Sequence, residues 1–317
     1  MSRGASPKGP EGQDVIEGLS RIPRSIPTYY LYDDHGSELF EQICAQPEYY
    51  PTRTERQILQ RAAPEIATLT QMRSLVELGS GSASKTRLLL DSMVSHWEKQ
   101  PIRYIPIDVS AKILERSAED LLSSYPTLSI QGLVATYELA LADLPPAPDR
   151  LVAFLGSTLG NIPPQECARF FTQVYAALAA GEHFLIGVDL QKDVDTLEAA
   201  YDDQMGISAA FNLNILNHLN RRYGGNFVSD HFRHFAPYNA TTEQIEIYIV
   251  SDRAQTVTLK NLSLSLDLKP GEQILTEVSR KFQVPALRSQ LQDVGFTTLE
   301  VWTDPQDWYA VLLLQKQ

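Results

Sequence analysis

The chain has 317 residues, with 27 basic and 39 acidic side chains, a net charge of −12 and a pI near 5.0. That balance excludes a long nucleic-acid footprint. No apolar run is long enough to span a membrane and no signal-peptide pattern stands at the start. Two cysteines, Cys44 and Cys167, point to reduced thiols and a cytoplasmic protein. The length favours two domains, or one large domain with an insertion.

Residues 1–14 are Gly, Ser, Pro and charge and read as a disordered tail. Ser37 is placed to cap a helix with Leu39, Phe40 and Ile43 on its apolar face. Pro47-Glu-Tyr-Tyr-Pro-Thr-Arg53 reads as a rigid turn, and Thr54 as the start of a second helix with Ile58 and Leu59 inward. Leu75–Leu78 is a short buried strand, followed by Gly79, Gly81 and a helix from Lys85. A second strand, 104–108, ends in a carboxylate. Ser110 caps the next helix, whose Leu114, Ala118, Leu121 and Leu122 share a face. Strands follow at 129–135, 151–155 and 183–188, with a proline-started helix between the last two. Strands alternating with helices predict a parallel sheet covered on both faces.

From Leu197 the alternation stops. Residues 197–223 read as mostly helix, with antiparallel strands at 244–251 and 255–266 and a strand and turn at 272–282. The α/β pattern returns with a helix at 287–294, Gly295, and closing strands at 297–302 and 308–314. The block 196–286 is therefore an insertion. The N-terminal helices have no place in the sheet, so the two are expected to pack together as a lid over the strand C-termini, where ligands of open α/β sheets bind. The expected division is 15–60 with 196–286, and 61–195 with 287–317.

Candidate chemistry sits at the strand ends. A strand, a glycine turn and a helix N-terminus let a ligand approach backbone closely. Glu77 before Gly79-x-Gly81 suits a cationic ligand such as S-adenosylmethionine (SAM), a plain tight turn and a nucleotide site being the alternatives. Asp108, at the end of the second strand, is placed to hold ribose hydroxyls or to cap the next helix. Lys85, Thr136 and Tyr137 lie at or beyond the same strand ends. Asn161, in Gly156-Ser-Thr-Leu-Gly-Asn161, can both donate and accept. His231 and His234, spaced i, i+3, suit one helical face, but no third ligand accompanies them, so surface or packing roles are expected and no metal. Asp202 and Asp203, next to a helix start, read as solvated acids.

Phe154-Leu-Gly-Ser-Thr-Leu-Gly-Asn161, Gly36-Ser-Glu-Leu-Phe-Glu-Gln-Ile43, Pro47–Arg53, Ala200-Tyr-Asp-Asp203 with Phe211-Asn-Leu-Asn214, and Thr276-Glu-Val-Ser-Arg-Lys-Phe282 together resemble one family. It is the histidine-specific Nα-methyltransferases of ergothioneine biosynthesis, which form hercynine. The resemblance covers nearly the whole chain after the tail. It implies an α/β, class I SAM-dependent methyltransferase, a Rossmann-like sheet with a terminal antiparallel strand, plus a substrate-binding domain from the N-terminal helices and an α+β insertion.

The resemblance also implies roles. Tyr49, Asn161 and Tyr201 would hold the amino-acid head of histidine, Glu277 and Ser279 the imidazole, and Tyr32 would stand near the accepting nitrogen, with Tyr32, Tyr49 and Asn161 the catalytic set. Gly79, Lys85, Asp108, Thr136 and Tyr137 would fall on SAM contacts, joining Glu77 and Gly81 of the strand-end motif in the cofactor site, with S-adenosylhomocysteine the product. The implied partners are L-histidine and its mono- and dimethyl intermediates, for a monomeric protein. Thr136 departs from the family's Asp, and Ile247 stands beside the imidazole where Met is expected. Ile247 keeps open a relative acting on another aromatic amino acid or indole derivative. A non-catalytic SAM- or amino-acid-binding module is opposed by the polar residues at Tyr49, Asn161, Tyr201 and Glu277. Tyr29, Tyr30 and Tyr32 offer aromatic faces for a quaternary product or, for at least one of them, packing.

Overall fold

The structure is a computed structural model. It describes residues 2, 3, 11–81, 83–98, 100–145, 147 and 149–317. The chain divides into two compact units: Met1–Ser6, Pro51–Gln191 and Lys281–Gln317 form one, and Pro7–Tyr50 with Lys192–Arg280 the other. Among the described residues no helix is long and apolar enough to cross a membrane.

Helix α1 is Gln13–Ser20 and α2 is Asp34–Ala45. The tail expected through residue 14 therefore ends earlier; residues 4–10 lie outside the described residues. Asp14 accepts from the hydroxyls of Tyr29 and Tyr30, which ties α1 to the following 3-10 turn. The cap of α2 is Asp33, whose carboxylate accepts from Gly36 N, and not Ser37, which is buried inside the helix. Helix α3 runs Tyr50–Thr70, so the turn expected through Arg53 is already helical. Pro51 fits a first helical turn because no N–H is required there. Ile58, Leu59 and Ala62 of α3 join the core of the sheet unit, so the boundary falls at 50/51 and not at 60.

The sheet unit continues with β1 (Ser74–Leu78), α4 (Thr86–Trp97), β2 (Ile102–Asp108) and α5 (Ala111–Ser124). The expected third strand is two pieces, β3 (Leu128–Ile130) and β4 (Leu133–Val134). Then come α6 (Tyr137–Ala142), β5 (Arg150–Phe154), α7 (Pro164–Ala177) and β6 (His183–Asp189). On α5, Leu114, Ser117 and Leu121 face inward, whereas Leu122 is largely exposed, one step too far round for the expected stripe.

The other unit resumes with α8 (Val194–Tyr201) and α9 (Ile207–Tyr223), broken at Gly206, where φ is 71°. Asp203, expected to be solvated, is buried, and its carboxylate accepts from Ile207 N (3.0 Å) and Ser208 N (2.6 Å) at the start of α9. Strands β7 (Phe232–Phe235), β8 (Gln244–Ser251), β9 (Gln255–Leu259), β10 (Leu264–Leu268) and β11 (Gln273–Arg280) follow. β8 pairs antiparallel with β7 and β11; β9 and β10 form a hairpin. Asp33 accepts from Asn214 (2.8 Å) and pairs with Arg221, so one N-terminal carboxylate fixes α9 to α2.

Helix α10 (Val284–Val294), β12 (Phe296–Thr303) and β13 (Tyr309–Lys316) return to the sheet unit. Its strands run in the order β4-β2-β1-β5-β6-β13-β12, parallel as far as β6, with β13 antiparallel to both of its neighbours. Period-two alternation splits the core. Val76, Ile105, Val152 and Phe184 face α7 and α10; Leu75, Tyr104, Leu151 and Leu185 face α3 and α4. Strand order reverses beside β1, so the turn after β1 opens at the switch point where such sheets bind ligands.

Candidate functional site

In the sheet unit, Gly79 and Gly81 take φ of 72° and 49°, the left-handed region open to glycine. A methyl added at either would meet nothing within 4 Å, so this backbone is free for close approach by a ligand such as SAM. Ala83, where a third glycine is usual, also takes a positive φ, 55°. Asp108 braces the turn: its oxygens accept from Gly81 N and Ser110 N, each at 3.0 Å. Burial raises its pKa, opposed by those two hydrogen bonds.

Glu77, at the end of β1, is buried, and its carboxylate accepts from Thr86 Oγ1 (2.6 Å) and the Tyr104 hydroxyl, which ties the strand end to the start of α4 and to β2. Burial pushes its pKa up to about 7, against those hydrogen bonds. Thr136 is the N-cap residue of α6 and makes no side-chain cap bond. Tyr137 packs its ring on Phe154 (5.5 Å) and Phe170 (5.6 Å), a core contact that leaves it partly exposed.

Lys85 pairs with Glu55, a residue that sequence reading passed over. The loop after β5 turns on Gly156 (φ 78°) and Ser157 (φ 56°) and closes in a 3-10 turn ending at Asn161. Ser157 Oγ accepts from Asp189 N at 2.9 Å, anchoring the loop to the end of β6.

The other unit holds a pocket lined by Tyr49, Tyr201, Phe211, His234, Ile247 and Glu277 among others. It is narrow, with an enclosed volume of about 30 Å³. Tyr49 and Tyr201 meet edge to face with centroids 5.9 Å apart. Burial raises the Tyr49 pKa well above 10, with Tyr201 beside it adding to the effect. The Tyr201 hydroxyl hydrogen-bonds Ser279 Oγ at 2.7 Å. Ile247 and Glu277 sit opposite each other in the β8–β11 register, next to a bulge at Ile247/Tyr248. Tyr32 packs edge-on against Phe40 (5.6 Å) and Phe211 (5.4 Å), both pocket-lining rings. Tyr30 is packing: it is buried with its hydroxyl 2.8 Å from that of Tyr223.

His234 is a pocket residue that pattern reading assigned to surface or packing. It lies on β7, while His231 ends a separate 3-10 turn, so the two share no helical face. Asn212 fixes its tautomer. The Asn212 amide donates to Tyr248 O (2.9 Å), so its nitrogen also donates to His234 Nδ1 (2.9 Å), and Nε2–H donates to Tyr201 O (2.9 Å). Burial lowers the His234 pKa, which keeps this neutral form in place. Among the described residues no cluster of His, Cys, Asp and Glu could hold a metal ion.

The switch-point glycine turn and the antiparallel closing strand define a class I SAM-dependent methyltransferase. The chain belongs, more narrowly, to the family described as histidine-specific, SAM-dependent methyltransferases, whose model matches residues 11–316. It is 39% identical to the histidine N-alpha-methyltransferase of Mycobacterium tuberculosis over 96% of this chain and 94% of that one. It is 41% identical to the enzyme of the same name from Mycolicibacterium smegmatis, over 95% and 93%. A more distant relative, 27% identical over 95% and 91%, is the L-tryptophan methyltransferase of Psilocybe serbica.

Proposed function

We propose that the chain methylates the α-amino nitrogen of L-histidine in three successive transfers to give hercynine, the first step of ergothioneine formation. The observation that carries this reading is the narrow aromatic pocket in which Glu277 stands on the same strand as the Tyr201–Ser279 pair. Glu277 accepts an imidazole N–H, and Ser279, turning from Tyr201, serves the other ring nitrogen. Tyr49, Tyr201 and Asn161 hold the amine and carboxylate without adding formal charge. Tyr32 supports the aromatic wall beside the accepting nitrogen, and Ile247 shapes the imidazole end.

In the sheet unit, Gly79, Gly81, Lys85, Asp108, Thr136 and Tyr137 hold the cofactor; Glu77 shapes the turn from inside. SAM supplies an activated methyl on a sulfonium. The protein positions a deprotonated amine in line with it and excludes water, which is where most of the rate of such a displacement arises. Incubation with SAM and a panel of amino acids, read by mass spectrometry, yields mono-, di- and trimethylhistidine as the main products. Methylation of tryptophan in preference to histidine would replace this reading with the indole one that Ile247 leaves open.

A further inference from the structure

A buried carboxylate is costly unless its oxygens are satisfied, and Glu55 on α3 is 0% exposed. Its oxygens accept from Gly156 N (2.9 Å), from the Tyr309 hydroxyl (2.7 Å) and from the Lys85 ammonium. Those donors come from three separated parts of the sheet unit: the helix start after the glycine turn, the loop that ends at Asn161, and the last strand. Two glycines are shaped around the group. A methyl on Gly187 of β6 would overlap Glu55 Oε1 and come within 2.9 Å of the Tyr309 hydroxyl. A methyl on Gly156 would lie 3.3 Å from Lys85 Nζ. Lys85 keeps 17% of its side chain exposed while Glu55 keeps none, so the lysine stem runs from the surface to an ammonium held on a fully buried carboxylate.

We propose that Glu55 is a positioning residue for methyl transfer: it fixes the Lys85 ammonium and the Gly156–Asn161 loop in a single arrangement. A neutral packing side chain could fill the same space, but it could not hold an ammonium and a backbone N–H at the same point. The role rests on the reading above that Lys85 serves the cofactor and Asn161 the substrate.

The test compares Glu55→Gln, Lys85→Met, the double variant and Tyr309→Phe. Calorimetry with S-adenosylhomocysteine, without any methyl acceptor, reads the cofactor half. Glu55→Gln is expected to weaken binding about tenfold, the scale of one charge-assisted hydrogen bond. The double variant binds no more weakly than Lys85→Met alone, within about twofold, because Glu55 acts through Lys85. Steady-state rates read the loop: kcat falls in Glu55→Gln even at saturating substrates. Tyr309→Phe keeps the ion pair and the Gly156 contact and weakens binding only about two- to threefold; it carries the test if Glu55→Gln does not fold. A purely structural Glu55 would lower the melting temperature and leave affinity and kcat at wild-type values, and that result overturns the proposal. So would multiplying effects in the double variant, or wild-type binding by Tyr309→Phe. If histidine proves not to be the methyl acceptor, the calorimetric arm still stands, so the two failures are distinguishable.

Discussion

At the scale of single residues, hydrogen-bond capacity sets what each group can do. Glu277 is proposed to pair with an imidazole N–H, and a site built on such a pair rejects analogues that leave it unpaired. Glu277→Ala should lower kcat/KM for histidine by about 10- to 100-fold, corresponding to roughly 1.5–3 kcal/mol for a charge-assisted bond. The loss falls mainly on KM, and competition assays with histidine and tryptophan measure the change in preference. A preserved preference for histidine would move the imidazole contact elsewhere. Glu77 makes a different prediction. Its pKa rises from 4.5 to about 7 in the fold. Between those values the folded protein keeps a proton that the unfolded chain has lost. This contribution to stability is complete below pH 4.5 and is lost as pH rises through about 7. Glu77→Gln cannot lose it, so thermal melts of variant and wild type should diverge in the variant's favour from pH 5 to 8, by on the order of 2–3 kcal/mol. Parallel melting curves across that range would show that Glu77 is ionised throughout.

Elements were legible where the signal is local. Leu75–Leu78, Gly79 and Gly81 are adjacent in sequence, and alternation puts Glu277 and Ser279 on one strand face, so both features could be read from spacing. Element starts were less legible because several residues compete to cap. Ser37 satisfies the preference rules as well as Asp33, but only Asp33 also reaches Asn214 and Arg221, 181 and 188 residues away. Glu55 is invisible for the same reason: its partners Gly156 and Tyr309 lie 101 and 254 residues off. Asp203, like Asp202 an acidic residue next to a helix start, reads from sequence as solvated. Its two backbone bonds make it the start signal of α9, so Asp203→Ala should destabilise that unit by about 1–2 kcal/mol, the cost of a lost cap. Urea unfolding followed by circular dichroism measures this. A midpoint unchanged from wild type would mean that packing of Phe211 and Ile215, not the cap, defines where the helix begins.

For the whole molecule, the class of fold was readable because a parallel sheet imposes strand–helix alternation over long stretches, and interruption of that alternation marked the insertion. What the sequence could not give was the protonation of the pocket, which depends on burial. Both titratable groups shown to shift there stay neutral through the working range: Tyr49 because burial holds its pKa well above 10, His234 because burial lowers its pKa from 6.5. Neither can act as a base that switches on between pH 7 and 9. The proton that must leave is the substrate's own, since an ammonium has no lone pair to attack with. Initial rates at subsaturating histidine should therefore climb from neutral to mildly alkaline pH and level off near the amine's ionisation. The same profile should appear in His234→Gln, with its midpoint unmoved, because the imidazole there carries no charge to lose. A flat profile in the wild type, or a midpoint that follows the His234 substitution, would place the proton acceptor in the protein after all.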